Sequence, residues 1–133
     1  MLVSDDKFHR HGMNPGGLED HASGTAIARM ATDAYGRKVT AAEVFRLAAE
    51  GDEVACEVVE TAAEALARAV ACVTFVVDPN RFVFGGSVAL YNPSFINQVY
   101  ERAQRYVLNP DKLDFALAEC GGDAGLIGAA LLV

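Results

Sequence analysis

Apolar residues recur at intervals of three and four along most of the chain, which is the spacing of one helix face. The first such run comprises Ile27, Met30, Ala31 and Ala34. Ser23 precedes it as a candidate N-cap and Gly36 follows it as a candidate left-handed stop, so a short helix is predicted between them. Residues 1–22 are rich in polar and turn-forming types without a hydrophobic period, and are predicted to form a loop.

Two further helices are predicted from the residues at their ends. The segment 40–43, Thr-Ala-Ala-Glu, has the form of a capping box with reciprocal hydrogen bonds, and Gly51 closes the helix that follows. A long helix then runs from Asp52 to Val77 and ends at Asp78-Pro79, because the residue before a proline avoids helical dihedral angles. This helix carries no charge past Arg68, so its C-terminal half is expected to be buried on most sides.

The last third of the chain alternates between strands and helices. Residues 81–84 form a short, mainly apolar run, typical of a strand covered on both faces, and lead into Gly85-Gly86. Asn92-Pro93 opens an amphipathic helix, residues 113–117 alternate as a second strand, and an apolar helix is predicted at 124–132. The order helix, helix, helix, strand, helix, strand, helix indicates a helix-rich α/β fold.

Composition and charge restrict the classes of partner. The 133 residues suffice for one domain with a core but not for two. The net charge is -7 and the 11 Lys and Arg residues are scattered, which argues against direct nucleic-acid binding. The three dispersed cysteines favour reduced thiols, and no segment resembles a signal peptide or a membrane span. We therefore expect a cytoplasmic protein without a membrane partner.

The turn Gly85-Gly86-Ser87 is the first candidate for chemistry. It lies between a predicted strand and a helix, where glycine lets the backbone approach a phosphate or an adenine at the carboxyl end of a parallel strand. The alternative is structural, because many buried strands turn into helices through glycine for close packing alone.

Glu19 is the second candidate. It follows Gly16-Gly17 on a tight turn just before the first helix, and a carboxylate held there can accept hydrogen bonds from two vicinal sugar hydroxyls. The alternative is a solvated loop acid.

Several segments, taken in order, resemble the C-terminal part of the ROK family of sugar kinases and sugar-responsive repressors. They are Gly-Leu-Glu at 17–19, Ala-Ser-Gly-Thr-Ala-Ile-Ala at 22–28, Asp-Pro at 78–79, Phe-Gly-Gly at 84–86 and Gly-Asp-Ala-Gly-Leu-Ile-Gly-Ala-Ala at 122–130. The match covers residues 16–133. It implies the C-terminal lobe of the actin-like, ribonuclease-H-like ATPase fold, truncated, with residues 23–133 as a partial ROK domain.

The resemblance also implies roles for particular residues. A glutamate at the position of Glu19 hydrogen-bonds the sugar in this family, and the turn Gly85-Gly86-Ser87 borders the nucleotide. Ser23 and Gly24, with Thr25, are expected near the same cleft. The implied cofactor of the full-length family is ATP with magnesium, and no catalytic residue is assigned within this chain.

The segment before Glu19 departs from the family pattern. ROK proteins typically carry a structural zinc site in which a Cys-x-Cys-Gly-x-x-Gly-Cys-Leu-Glu segment supplies thiolates, whereas residues 9–19 contain no cysteine. His9 and His11 stand close to the first two ligand positions but offer no closed tetrahedral set. We expect zinc to be lost and these histidines, together with His21, to be solvated.

The resemblance leaves three hypotheses about function. The family's first phosphate loop and its catalytic Asn-Asp pair have no counterpart here, so the chain alone is expected to lack kinase activity. It is then a fragment of an ATP-dependent kinase for a hexose or an N-acylhexosamine, the effector-binding part of a ROK repressor, or a remnant that serves only in packing. The resemblance also implies that the leading antiparallel strands of the lobe are missing. Their loss leaves a sheet face or edge without its usual neighbours, so a homodimer is expected.

Overall fold

The computed structural model describes residues 17–132. Its elements are α1 (Glu19–Ala22), α2 (Gly24–Tyr35), α3 (Ala41–Ala49), α4 (Glu53–Val77), β1 (Phe82–Phe84), α5 (Ser87–Tyr91), α6 (Pro93–Ala103), β2 (Phe115–Leu117) and α7 (Ala124–Ala130). Short 3-10 turns, Pro110–Lys112 and Gly121–Asp123, precede β2 and α7. The predicted order of the larger elements is confirmed. The loop predicted for 1–22 is wrong at residues 19–22, which form one helical turn, and residues 1–16 lie outside the described part.

The helix starts depend on local caps, and the sequence predicted those at Ser23 and Thr40 correctly, whereas Asp52 was predicted only as the first residue of the long helix. The Ser23 hydroxyl accepts from the Ala26 amide at 3.1 Å, the Thr40 hydroxyl from the Glu43 amide at 3.2 Å, and the Asp52 carboxylate from the Ala55 amide at 2.9 Å. The reciprocal half of the predicted capping box is wrong. The Glu43 carboxylate accepts from the Arg37 guanidinium at 3.0 Å, because that charged donor lies within reach.

Helix α4 is the centre of the core. Its alanines at 55, 62, 63 and 67 are fully buried, and α1, α2, α3 and α6 all pack against it. Small side chains let neighbouring helices approach closely, so the low aromatic content of the chain still gives a packed interior. The largest fully buried side chain is Phe95 of α6. Its ring packs edge to face against that of Phe45 of α3, with the ring centroids 5.5 Å apart.

The expectation of a buried C-terminal half of α4 is wrong for its last turn. Phe75, Val76 and Val77 are 60, 83 and 67% exposed. Absence of charge predicts burial only if another element lies opposite, and within residues 17–132 none covers this turn. The predicted end of the helix is confirmed, since Asp78 before the proline adopts a left-handed conformation with φ 46°.

Strands β1 and β2 pair in parallel, with Phe82 opposite Phe115 and Phe84 opposite Leu117. One face of this two-stranded sheet packs aromatic rings together, because Phe115 contacts both β1 phenylalanines and Tyr100 of α6. The prediction that β1 is covered on both faces is wrong, because Val83 on the opposite face is 63% exposed. Both carboxyl ends lie at one sheet edge, as parallel pairing requires.

The predicted apolar helix at 124–132 is present as α7 but has no buried side chain. Leu126 is 73% exposed, and Leu131 and Leu132, just beyond the helix, are 80 and 89% exposed. Apolar residues here therefore do not contribute to the core formed by the described chain.

The alanine surface of α4 allows a direct test of packing. Ala62→Leu inserts a large side chain where none fits and should lower the free energy of unfolding by about 1–3 kcal/mol. Ala34→Leu, at an exposed position of α2, is the matched control and should change stability little. Urea unfolding followed by circular dichroism measures both, and equal effects would contradict the assignment of α4 as the tightly packed centre.

A side-chain hydrogen bond joins the end of α2 to the start of α4. The Tyr35 hydroxyl donates to the Asp52 carboxylate, which also accepts from the Ala55 amide. The hydrogen bond from Tyr35 is the main cause that holds the pKa of Asp52 below its usual range, and the same bond raises the pKa of Tyr35.

These pKa directions predict how the stability contributed by the Tyr35–Asp52 hydrogen bond depends on pH. A lowered carboxyl pKa stabilises the fold above the ordinary value of about 4, and this stability is lost as the pH falls through the folded-state pKa. The stability difference between the native chain and Tyr35→Phe should therefore be constant near neutrality and shrink below about pH 4. Tyr91→Phe, at an exposed tyrosine, is the control. A difference that stays the same down to pH 2 would rule out this coupling.

Candidate functional site

Glu19, Ser23 and Gly24 lie together in one compact corner. Glu19 is exposed and begins α1, and its backbone carbonyl accepts from the Ser23 amide at 3.3 Å. Ser23 then caps α2, and its hydroxyl lies 3.4 Å from that of Thr25. The predicted sugar residue is thus one helical turn from the residues predicted to lie at the cleft.

Gly24 brings this corner against the second candidate segment. A Cβ at position 24 would lie 3.3 Å from Cγ2 of Val88 in α5, the helix that follows Gly85-Gly86. That distance is shorter than ordinary van der Waals contact, so only glycine fits without a shift of its neighbour. Two segments far apart in sequence, the start of α2 and the start of α5, therefore meet at Gly24 and Val88.

At the Gly85-Gly86 turn, the backbone conformation rather than close packing accounts for the glycine at position 86. Gly86 has φ 83°, a conformation that side chains disfavour, and a Cβ there would have open space around it. At Gly85 a Cβ would meet Ala118 at an ordinary 3.7 Å. The close-packing alternative raised from the sequence thus fails at this turn, and it applies at Gly24 instead. Gly86 and Ser87 are exposed, so their backbone is accessible to a ligand.

A cleft of about 540 Å³ opens beside this turn, between α5 and α3. Its walls include Ser87, Val88, Tyr91, Ala42, Phe45 and Arg46. The cleft is open to solvent, and its walls are mainly apolar with a few polar groups. The sequence did not reveal the contribution of α3, because its wall residues read as an ordinary amphipathic helix and meet α5 only in the folded chain.

A second glycine turn lies at the same sheet edge. The Ala118 amide, just after β2, donates to the Phe84 carbonyl at 2.8 Å, so the parallel pairing continues to the start of the Gly85-Gly86 turn. Gly121-Gly122 follows closely, and Gly121 also has a positive φ of 54°. Two glycine turns thus follow the carboxyl ends of parallel strands, which is where open α/β sheets bind their ligands.

The acid and the histidine after Glu19 behave differently from expectation. Asp20 and His21 are each only 7% exposed, so the prediction of a solvated His21 is wrong. The helical turn of α1 directs these two residues into the contact with α2 and α4 while Glu19 stays exposed. Asp20 Oδ2 and His21 Nε2 are buried, and neither atom has a hydrogen-bond partner among residues 17–132.

The described part of the chain offers no metal centre. Between residues 17 and 132, no three or more His, Cys, Asp or Glu side chains group where they could hold a metal ion. The weak candidates His9 and His11 lie outside the described residues, so the expectation about zinc stays a prediction.

Comparison with known proteins identifies the class. The sequence matches the ROK family over residues 5–133, so the chain belongs to the ROK family. It is 40% identical over 115 residues to the bifunctional enzyme NanE/NanK of Brucella melitensis, covering 85% of this chain and 21% of that protein. It is 32% identical over 134 residues to the glucokinase of Halalkalibacterium halodurans, covering 89% of this chain and 41% of the relative.

Solved structures agree with this assignment. A ROK hexokinase from Thermus thermophilus is 34% identical with a TM-score of 0.87, over 98% of this chain and 44% of the hexokinase. A ROK glucokinase from Streptomyces griseus, solved with glucose and AMPPNP, gives a TM-score of 0.76 at 24% identity, over 90% of this chain and 45% of that one. A ROK transcriptional regulator homologous to the Escherichia coli MLC protein gives a TM-score of 0.72 at 20% identity, over 88% of this chain and 33% of the regulator.

These matches confirm the predicted fold class, a truncated, helix-rich α/β chain of the actin-like ATPase fold. The chain spans less than half the length of the relatives it matches, consistent with the predicted C-terminal part. Within residues 17–132, no helix is long and apolar enough to cross a membrane. The homodimer and the cytoplasmic location stay predictions.

The contact between Gly24 and Val88 predicts a compensating pair of substitutions. Gly24→Val should push α5 away and lower the free energy of unfolding by about 1–3 kcal/mol. Val88→Ala in the same chain should recover part of that loss, because it removes the atom that the new side chain meets. Gly122→Val, with open space at its Cβ position, is the control for the added side chain. Strictly additive effects of the two substitutions would show that the segments do not meet.

Proposed function

We propose that this chain forms the C-terminal wall of a sugar kinase site, which in a complete ROK protein transfers phosphate from ATP to a hexose or an N-acylhexosamine. Glu19 accepts hydrogen bonds from the sugar hydroxyls. Gly85, Gly86 and Ser87 border the nucleotide, and Ser23 and Gly24 complete the corner between the two ligands. The convergence of the α2 start with the turn before α5, at the Gly24 contact, is the observation that carries the proposal.

The nucleotide half of the proposal is supported by the backbone and the neighbouring cleft. Gly86 keeps its positive φ in open space, so its backbone is available to a phosphate or ribose. The 540 Å³ cleft beside Ser87 has the size for a nucleotide base. The Streptomyces glucokinase of the same fold was solved with AMPPNP.

The sugar half is supported by the contrast between neighbouring acids. Glu19 is exposed, whereas Asp20 is buried and paired with Arg29. An exposed carboxylate on an anchored helical turn can accept two hydroxyl hydrogen bonds with little ordering cost. Glucose in the Streptomyces structure and the glucokinase and hexokinase relatives make a sugar the consistent ligand.

Phosphoryl transfer itself requires more than this wall. Charge stabilisation must reach the reacting groups from both sides. Residues 17–132 hold no cluster of three or more His, Cys, Asp or Glu suited to a metal ion, so we assign no magnesium ligand within that range. The same wall could serve an effector site, because a ROK transcriptional regulator shares the fold. Phosphorylation of a hexose by the complete protein, or its absence despite sugar binding, separates the kinase from the regulator.

Two substitutions test the ligand assignments separately. Glu19→Gln should weaken binding of glucose or N-acetylglucosamine by about tenfold or more, because a hydrogen bond to a charged group is lost, and should leave AMPPNP binding unchanged. Gly86→Val should weaken AMPPNP binding and leave sugar binding unchanged, because a β-branched residue is strained at φ 83° and covers the exposed backbone. Titration calorimetry of the chain with each ligand provides the measurement.

Matched controls separate binding from stability. Glu53→Gln removes an exposed acid from the first turn of α4, and Gly36→Val imposes the same strain at φ 66° away from the turn. Neither should alter ligand affinity. If Glu19→Gln and Gly86→Val behave like their controls while the native chain binds both ligands, the site lies elsewhere. If the folded native chain binds neither ligand, the proposed site is not formed by this chain.

A further inference from the structure

Helix α1, which carries Glu19, is too short to hold itself in place. It consists of four residues, and isolated helices need roughly 12–15 residues to be even marginally stable. The amides of Asp20, His21 and Ala22 donate only to the carbonyls of Gly17 and Leu18, and the Ser23 amide just after the helix donates to the Glu19 carbonyl. The orientation of Glu19 therefore depends on what ties α1 to the rest of the protein.

One apolar contact and one polar contact hold α1 against the neighbouring helices. Leu18 packs against Ala65 and Ala69 of α4, which fixes the start of the turn. On the other side, Arg29 of α2 donates from Nη2 to the Asp20 carbonyl at 2.6 Å, and its Nη1 lies 3.7 Å from Asp20 Oδ1. The carbonyl contact is much the shorter of the two, so the backbone of α1, more than the Asp20 side chain, is what Arg29 holds.

The contact between Arg29 and Asp20 is largely buried, which strengthens it. The side chains of Arg29 and Asp20 are only 18 and 8% exposed. A charge-assisted hydrogen bond shielded from water is stronger than a surface pair, and its loss leaves a buried carbonyl without its donor. A planar guanidinium can reach the carbonyl and the carboxylate of one residue together, which a lysine ammonium matches poorly.

We propose that Arg29 is a positioning residue for the sugar site: it holds α1 against α2 and thereby sets the orientation of Glu19. Arg29 acts on the neighbour of Glu19 and need not touch the sugar. This inference rests on the proposed role of Glu19, and its first test requires no ligand.

The first test is amide hydrogen exchange of the native chain and its Arg29→Met variant, followed by NMR. Methionine keeps the apolar stem but removes every donor. The amides of His21, Ala22 and Ser23 should exchange at least tenfold faster in the variant, while those in the middle of α4 keep their protection. Arg29→Lys should restore part of the protection, and Arg37→Met, at an exposed arginine just after α2, should leave it unchanged.

The second test is sugar affinity in the same variants. Arg29→Met should weaken glucose or N-acetylglucosamine binding severalfold without changing AMPPNP binding, a split that general destabilisation would not produce. In Arg29→Met the further change Glu19→Gln should cost less than in the native chain, because Glu19 is already misplaced. Asp20→Asn should weaken sugar binding less than Arg29→Met does, since it leaves the hydrogen bond from Arg29 to the carbonyl of residue 20 in place.

Two results overturn the inference: unchanged exchange of the α1 amides in Arg29→Met, or released α1 amides with unchanged sugar affinity in a chain that binds sugar. If the native chain binds no sugar, the proposed function fails. The exchange experiment then still decides whether Arg29 fixes α1.

Discussion

The architecture depends on the close approach of helices to the alanine surface of α4. Residues 55, 62, 63 and 67 are fully buried alanines, and α1, α2, α3 and α6 all pack on this one helix. Close packing of small side chains leaves little slack, so elements that share α4 have fixed positions relative to one another. The corner that holds Glu19 and Ser23 inherits its position from this constraint, because α1 and α2 both rest on α4.

The sequence predicted those features that are decided within a few residues. The caps at Ser23 and Thr40 and the stop at Asp78 depend on local hydrogen bonds and dihedral angles, and all three are present. Burial was predicted poorly, because it depends on what lies opposite in space. Thus the uncharged last turn of α4 and the outer face of β1 are exposed, whereas His21, within a predicted loop, is buried.

The candidate site shows the same division. Family resemblance named Glu19, Gly24 and Gly86, and the fold brings Gly24 and the turn before α5 together. The reasons for the two glycines were not visible in the sequence, since Gly86 needs its φ of 83° and Gly24 needs the space that Val88 takes. The wall that α3 adds to the cleft and the grip of Arg29 on Asp20 could not be predicted either, because both arise only when separate helices meet.

The exposed helix α7 has a consequence for cooperativity. A seven-residue helix with no buried side chain gains little from the core, and so short a helix is not stable by its own hydrogen bonds. In this chain it should therefore open without the rest of the molecule, at a free-energy cost far below that of global unfolding. The cooperative unit built on α4 then ends near Ala118, and residues 119–132 should lose their structure without unfolding it.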